Sequence, residues 1–433
     1  MLKPQSTGTA RGCIDCDGAN GLTRRSLLKA GVFSFMGLGL LDLLKVSALA
    51  DGGGRCDSVI LIWLAGGPSH IDTFDPKPGQ ATNGPFKPID TTADGIQLCE
   101  HFPTVAKQMK HASLIRSLTS KEGSHERATY QMHTGYAPLG SITHPSLGSL
   151  VVKTLPRKNK EIPAYVSIGD TSFGAGFLGA EVAPFYIGDA NNPTRNLTHD
   201  RDVNEQRFNQ RIDLLRNLDL PFAIEKRHDN IEGYAVQFRE AISMMKSKSV
   251  EAFDLKKEDA AKIKKYGDNN FGKACLIARR LVEKGVRFVE VSMGGWDNHN
   301  EAFQALPGMC SRLDMALGNL IDDLQTSGLL DKTLVLCTGE FGRTPKINAQ
   351  NGRDHFPRVW SGLAAGGGVK KGFCYGASDA TGSEVKDGPV KPGDLHATMF
   401  HLLGVDYRKE HQTPMGRPIK IVDQGTPITG LMA

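Results

Sequence analysis

Five short stretches of the sequence gather carboxylates, imidazoles and guanidinium groups beside glycine. The first is Gly66-Gly67-Pro68-Ser69-His70-Ile71-Asp72-Thr73-Phe74-Asp75. The others are Ser124-His125-Glu126-Arg127, Gly294-Gly295-Trp296-Asp297-Asn298-His299, Gly339-Glu340-Phe341-Gly342-Arg343 and Gly352-Arg353-Asp354-His355. Carboxylates and imidazoles brought to one place make a mixed oxygen and nitrogen site for a divalent metal. Ser124 is a candidate nucleophile beside such a site.

Four of these stretches also have a structural explanation. Asp72 and Asp75 suit Asx turns near Pro76. Ser124 suits a helix N-cap, and His125 a satisfied histidine at a helix start. Glu340 and Arg343 suit an ion pair within a turn. Asp354 and His355 suit a local pair that fixes an imidazole tautomer. Asp297 and His299 resist such an explanation, because two metal-capable groups flank one polar residue. The five stretches together, each just past a strand or in the next loop, point to a site.

Those stretches need a scaffold that delivers them to one edge. Ser58–Leu64 is a continuous apolar run and reads as a central strand buried on both faces. Ser113–Leu118, Ala164–Ile168, the alternating Val286–Ser292, Thr333–Thr338 and Val359–Ala365 read as further strands. Helical spacing covers Phe102–His111, Glu126–Thr134, Ser146–Leu155, 201–218, 231–248, 270–284, Leu313–Leu324 and Leu395–Leu403, with Gly135, Gly285 and Gly404 as stops. Residues 170–200 are rich in Gly, Asn and Pro and read as a loop insertion, and 201–270 as a helical one. Alternating strands and helices predict a three-layer α/β/α sandwich on a mostly parallel sheet. Ligands of such sheets bind beyond the carboxyl ends of the strands.

The chain has 433 residues, 39% hydrophobic and 23% charged, which is globular composition and excludes a disordered or collagen-like chain. Its net charge is +5, without a long Lys/Arg run, so nucleic acid is not an expected partner. Thr23-Arg24-Arg25-Ser26-Leu27-Leu28-Lys29, the apolar stretch Ala30–Leu44 and Ala48-Leu49-Ala50 follow the order of a twin-arginine export signal. Residues 1–50 are therefore expected to be removed, with the translocase as a partner and a periplasmic or extracellular destination. They contain six positive and three negative side chains, so residues 51–433 carry +2 and are expected to form one domain. No apolar run there reaches the roughly 20 residues a membrane helix needs. Cys13 and Cys16 leave with the signal. Cys337, inside an apolar strand, reads as a core residue.

The motif order resembles the alkaline-phosphatase-like superfamily of sulfatases, phosphatases and phosphomutases. More closely, residues 56–422 resemble the DUF1501 family, bacterial proteins of unknown function within that superfamily that are often twin-arginine exported. The matching pieces are Gly66–Asp72 with Phe74-Asp75-Pro76-Lys77-Pro78, Gly295–His299, Gly339–Pro345, Gly352–His355, and the last helix from Asp394-Leu395-His396 to Leu403-Gly404. The resemblance implies an alkaline-phosphatase-like fold and places the nucleophile slot at His125, with Ser124 one residue before it. The modifiable cysteine of sulfatases is absent. Leu64-Ala65-Gly66 stands where the superfamily has Asp after the first strand, and Glu340-Phe341 where it has Asp-His.

The resemblance further implies a divalent metal held by Asp72, Asp297, His299, Glu340 and His355, with Arg127 or Arg343 binding the anion of a phosphate or sulfate ester. Carboxylate plus imidazole suits Zn, Mn or Fe, and an oxygen-rich subset suits Ca. The expected substrate is a small-molecule or glycan ester. A noncatalytic binding protein and a phosphomutase-like transferase are the competing readings.

Overall fold

The apolar run at Ser58 is the axis of the molecule. In the computed structural model, which describes residues 54–169, 173–193, 197, 202–226 and 229–433, it forms strand β1 (Ser58–Leu64), buried along its whole length. Side chains alternate across a strand. Ile60, Ile62 and Leu64 enter one core, and Val59, Leu61 and Trp63 the other. With no face left for water, the strand is apolar from Val59 on, and the hydroxyl of Ser58 donates to the Val286 carbonyl. The expected export segment lies outside the described residues, as does part of the expected loop at 170–200.

The other strands of the sheet are β2 (Ala112–Leu118), β3 (Tyr165–Ile168), β4 (Phe185–Ile187), β5 (Phe288–Met293), β6 (Thr333–Thr338), β7 (Trp360–Ala365) and β8 (Phe373–Tyr375). Their order is β8-β2-β7-β6-β1-β5-β3-β4. Neighbours run parallel, except that β7 is antiparallel to both β2 and β6. The helices are α1 (Pro103–Gln108), α2 (His125–Thr134), α3 (Leu147–Thr154), α4 (Glu205–Lys226), α5 (Asp229–Lys246), α6 (Ala260–Lys265), α7 (Asn270–Glu283), α8 (Ala302–Thr326) and α9 (Pro392–Leu402). Apolar side chains of α1, α7 and α8 join Ile60 and Ile62 in one core. Those of α2, α3 and α9 join Leu61 and Trp63 in the other. This is the expected three-layer α/β/α sandwich, and residues 54–433 form one compact unit.

Three local differences have physical reasons. Helix α8 begins at Ala302 rather than Leu313, because Pro307 sits early enough to cost a single backbone hydrogen bond. Strand β4 lies inside the Gly- and Asn-rich stretch, where three residues at the sheet edge give little pattern. The reversal of β7 has no signature in its own apolar run. All six described cysteines are free, and Cys337 is buried in β6 as expected. Among the described residues no helix is long and apolar enough to cross a membrane.

Candidate metal centre

Strands β5, β1 and β6 are adjacent and parallel, so the loops after Met293, Leu64 and Thr338 emerge side by side. Strand β2 ends at the same edge and leads through Gly123 to α2. Because β7 is antiparallel, with Trp360 paired to Leu118, the segment entering it arrives there as well. That segment carries Asp354 and His355. The loops lie against one another. Gly66 has φ +115°, and a Cβ there would overlap the backbone of Trp296 and Asp297. Gly352 similarly packs on the carbonyl of His299.

Three imidazoles meet at this edge, each with its Nδ1 tied down. His125 Nδ1 donates to Glu340 Oε1 at 2.7 Å. His299 Nδ1 donates to Asp354 Oδ1 at 2.8 Å. His355 Nδ1 faces the carbonyl of Gly123 at 2.8 Å and must donate, since a carbonyl only accepts. This leaves the Nε2 lone pairs pointing inwards. Those of His125, His299 and His355 lie 3.3, 3.0 and 3.3 Å from one oxygen, Asp297 Oδ1. His299 Nε2 and His355 Nε2 are 3.0 Å apart.

Arg343 reaches His299 Nε2 and Asp297 Oδ1 from one side, but the Nε2 atoms of His299 and His355 and the carboxylate oxygen still present acceptors to one another, an arrangement that a bound cation would relieve. Ligands fixed through Nδ1 with Nε2 directed at a common point are the usual form of an imidazole metal site. One ligand atom from each of His125, Asp297 and His355 falls within a mutual 4.8 Å. The donors therefore fit a divalent cation. Phe341, fully buried, packs its ring 4.8 Å from that of His125 and 4.7 Å from that of His355 and closes one side.

Charge around the centre is finely arranged. Burial alone would raise the Asp297 carboxyl, but hydrogen bonding and charge from Arg343 hold it well below the ordinary carboxylate range. His125 is raised from its ordinary value, first by its hydrogen bond to Glu340 and against the effect of burial. His355 is lowered, mainly by burial, and is the neutral form that a ligand requires. Glu340 is buried, and its Oε1 also accepts the Gly66 N–H at 2.9 Å.

Of the residues expected to act, His125, Asp297, His299, Glu340, Arg343 and His355 are brought together. Glu340 directs Oε1 at His125 Nδ1 and thereby positions an imidazole. Arg343 is no open anion binder. Its guanidinium donates to the carbonyls of Gly66, Gly67 and Arg353, to His299 Nε2 and to Asp297 Oδ1. Glu340 and Arg343 thus do not pair with each other, and Asp354 fixes His299 rather than its neighbour His355.

Asp72 is not at the cluster. Both of its oxygens bind Arg353, at 2.7 and 3.1 Å, in a buried pair. Asp75 bonds Lys77, Arg116 and Ser378. Arg127 forms an exposed two-bond pair with Glu122. Ser124 occupies the N-cap position of α2 without a side-chain cap bond, so its exposed hydroxyl is not engaged in capping. The Gly123 carbonyl has no side chain and so no sequence signal.

No curated protein matches the chain. Among solved structures, it is similar to the lipoteichoic acid synthase LtaP of Listeria monocytogenes, at 11% identity and TM-score 0.37, covering 88% of this chain and 76% of that one. It is similar to the sulfatase PsFucS1 of Pseudoalteromonas sp., at 14% identity and TM-score 0.41, covering 84% and 70%. It is also similar to a protein of the alkaline phosphatase superfamily from Vibrio parahaemolyticus, at 11% identity and TM-score 0.40, covering 88% and 71%. The family model described as protein of unknown function (DUF1501) matches residues 56–432, and the chain belongs to that family.

Proposed function

We propose that this protein is a divalent-metal-dependent hydrolase of phosphate or sulfate esters. It is exported by the twin-arginine route and acts on a small-molecule or glycan ester in the periplasm or outside the cell. One observation carries the reading: the Nε2 atoms of His125, His299 and His355 converge on Asp297 Oδ1 while every Nδ1 is held from behind. Asp297, His125 and His355, with His299 beside them, would hold the ion. Three imidazoles and one carboxylate suit Zn, Mn or Fe better than Ca, which prefers oxygen ligands. When bound, such an ion lowers the pKa of water and offsets charge on a transferred group.

The chain's own groups supply the rest. The N-terminus of α2, ten residues long, directs N–H groups at the same edge and favours an anion there. Phe341 excludes water from one side of the imidazoles. Glu340 orients His125, and Arg343 fixes Asp297. Ser124, exposed at the N-cap, is the candidate to attack an ester, because His125 gives Nδ1 to Glu340 and Nε2 to the ion.

Purified protein is expected to contain stoichiometric Zn, Mn or Fe by elemental analysis, and to lose it in Asp297→Ala and His355→Ala. Hydrolysis of aryl phosphates and aryl sulfates is expected to need that metal, with Ser124→Ala losing turnover at unchanged metal content and His125→Ala losing the metal itself. Folded protein that takes up no metal and cleaves neither ester class overturns the proposal.

A further inference from the structure

A cavity of about 540 Å³ opens to solvent directly beside His125. Its floor is formed by α2, where His125 stands five residues before Tyr130. Pro138 and Phe173 complete an apolar wall, and Glu126 and Arg127 stand at its rim. The volume falls in the range of small-molecule sites, and the mix of apolar wall and few polar groups is theirs as well.

The wall is rigid. The Tyr130 hydroxyl accepts the His144 N–H at 2.8 Å and meets His144 Nδ1 at 2.8 Å, which fixes the ring. Phe173 sits edge-on to Tyr130, with centroids 5.9 Å apart, and lies 4.7 Å from the buried ring of His133. Aromatic rings locked before a ligand arrives cost it little ordering entropy. Fixed rings match the C–H face of a sugar, and a carboxylate and a guanidinium at the rim match its hydroxyls.

We propose that this cavity is the leaving-group subsite and that it takes a pyranose ring, so that the substrate is a sugar ester. The inference rests on the ester hydrolase reading and names its substrate class. The ester group would lie at the imidazole cluster and the ring between Tyr130, Pro138 and Phe173. Hydrolysis would add water across the ester, breaking the bond to the phosphorus or sulfur and releasing the sugar alcohol and the inorganic anion.

Calorimetric titration of the metal-loaded protein decides the matter. The probes are 6-phosphates and 6-sulfates of glucose, galactose and N-acetylglucosamine, the matching methyl glycosides, and ethyl phosphate and ethyl sulfate. At least one sugar ester is expected to bind about tenfold more tightly than the ethyl ester. Phe173→Ala is expected to erase that preference and leave ethyl ester binding unchanged, with Phe173→Leu between the two. Equal affinity for sugar and ethyl esters overturns the subsite and leaves the hydrolase reading standing. So does a sugar preference that survives Phe173→Ala. Methyl glycosides that bind in a Phe173-dependent way, without gain from an ester group, keep the ring subsite and overturn the hydrolase reading. Failure of every probe to bind overturns both.

Discussion

Helix α2 and strand β5 produce two histidine–carboxylate groups with opposite characters. At the end of α2, His133 is sealed inside the molecule with Glu290 of β5. Its Nδ1 donates to the Thr129 carbonyl and its Nε2 to Glu290 Oε1, both at 2.9 Å, and Glu290 Oε2 accepts from Tyr165 at 2.9 Å. Both imidazole nitrogens therefore carry protons. Burial would lower the His133 pKa, but the charge and hydrogen bond of Glu290 reverse that and raise it. At the start of α2, His125 joins Asp297, His299 and His355, whose side chains are 28–48% exposed. There the Nε2 atoms of His125 and His355 face Asp297 Oδ1 and that of His299 faces His355 Nε2 at 3.0 Å, while Arg343 donates to His299 Nε2 and Asp297 Oδ1 from one side. The same residue types thus serve structure where acceptors face donors, and point to a ligand where acceptors face each other.

The largest expected effect breaks the open group alone. Asp297→Ala removes the oxygen on which all three Nε2 atoms converge, so stoichiometric metal binding should be lost. Asp297 is half exposed but is paired with the buried Arg343 guanidinium, so the urea midpoint of metal-free protein should fall, by less than in Glu290→Gln. Elemental analysis beside urea unfolding checks both. Metal retained in Asp297→Ala would end the distinction between the two groups.

The sealed group should answer in the opposite way. Glu290→Gln leaves a buried imidazolium without its counter-charge, which costs about 3–5 kcal/mol of stability. At permissive temperature, metal content should stay stoichiometric. Loss of metal without loss of stability would mean that the buried pair also shapes the site.

Acid probes the same sealed layer through His396 of α9. Its Nε2 donates to the Met132 carbonyl, and burial lowers its pKa to about 4. The unfolded chain, with an ordinary histidine near 6.5, binds the proton more tightly than the fold does. The contribution is therefore complete above pH 6.5, is lost as pH falls towards 4, and levels off below that. The expected loss is on the order of 3 kcal/mol. Urea midpoints measured across that window should fall, and in His396→Gln the fall should be smaller. An unchanged slope would assign the acid sensitivity elsewhere.

Sequence legibility follows the same division. The buried strand at Ser58 declares itself, because a strand without a wet face has no room for polar residues. That Asp297 and His299 lie at one edge was legible because two metal-capable groups flank one polar residue on a glycine loop, whereas His355 was reached only through the family resemblance. Asp72 misled, because its partner Arg353 lies 281 positions away and only the fold brings them together. His133 and Glu290 were invisible for the same reason: they lie 157 positions apart, on a helix and a strand that only the fold brings together. The tautomer partners could not be assigned from neighbours in sequence. Asp354 adjoins His355 yet serves His299, and His355 relies on the backbone of Gly123. The reversal of β7, which delivers His355, is a property of strand pairing that a single apolar run does not encode.

Glu340 belongs to both regions, and its substitution is the finest test of the contrast. The side chain is buried like Glu290, but it serves the open site by holding His125 Nδ1. Its Oε2 is buried without a hydrogen-bond partner in the described structure. In Glu340→Gln an amide oxygen can still accept from His125 and from the Gly66 N–H, while the charge that raises His125 is gone. His125 should then titrate lower. Outer partners of metal-bound imidazoles are typically worth about 10–100-fold in affinity, so metal should bind more weakly by that factor. Competition with a chelator measures it. If Glu340→Gln unfolds the protein as Glu290→Gln should, Glu340 belongs to the sealed structure. If it weakens metal and leaves the urea midpoint near its original value, burial alone does not separate the two regions. What separates them is whether the imidazole a carboxylate holds has a donor or an acceptor opposite its other nitrogen.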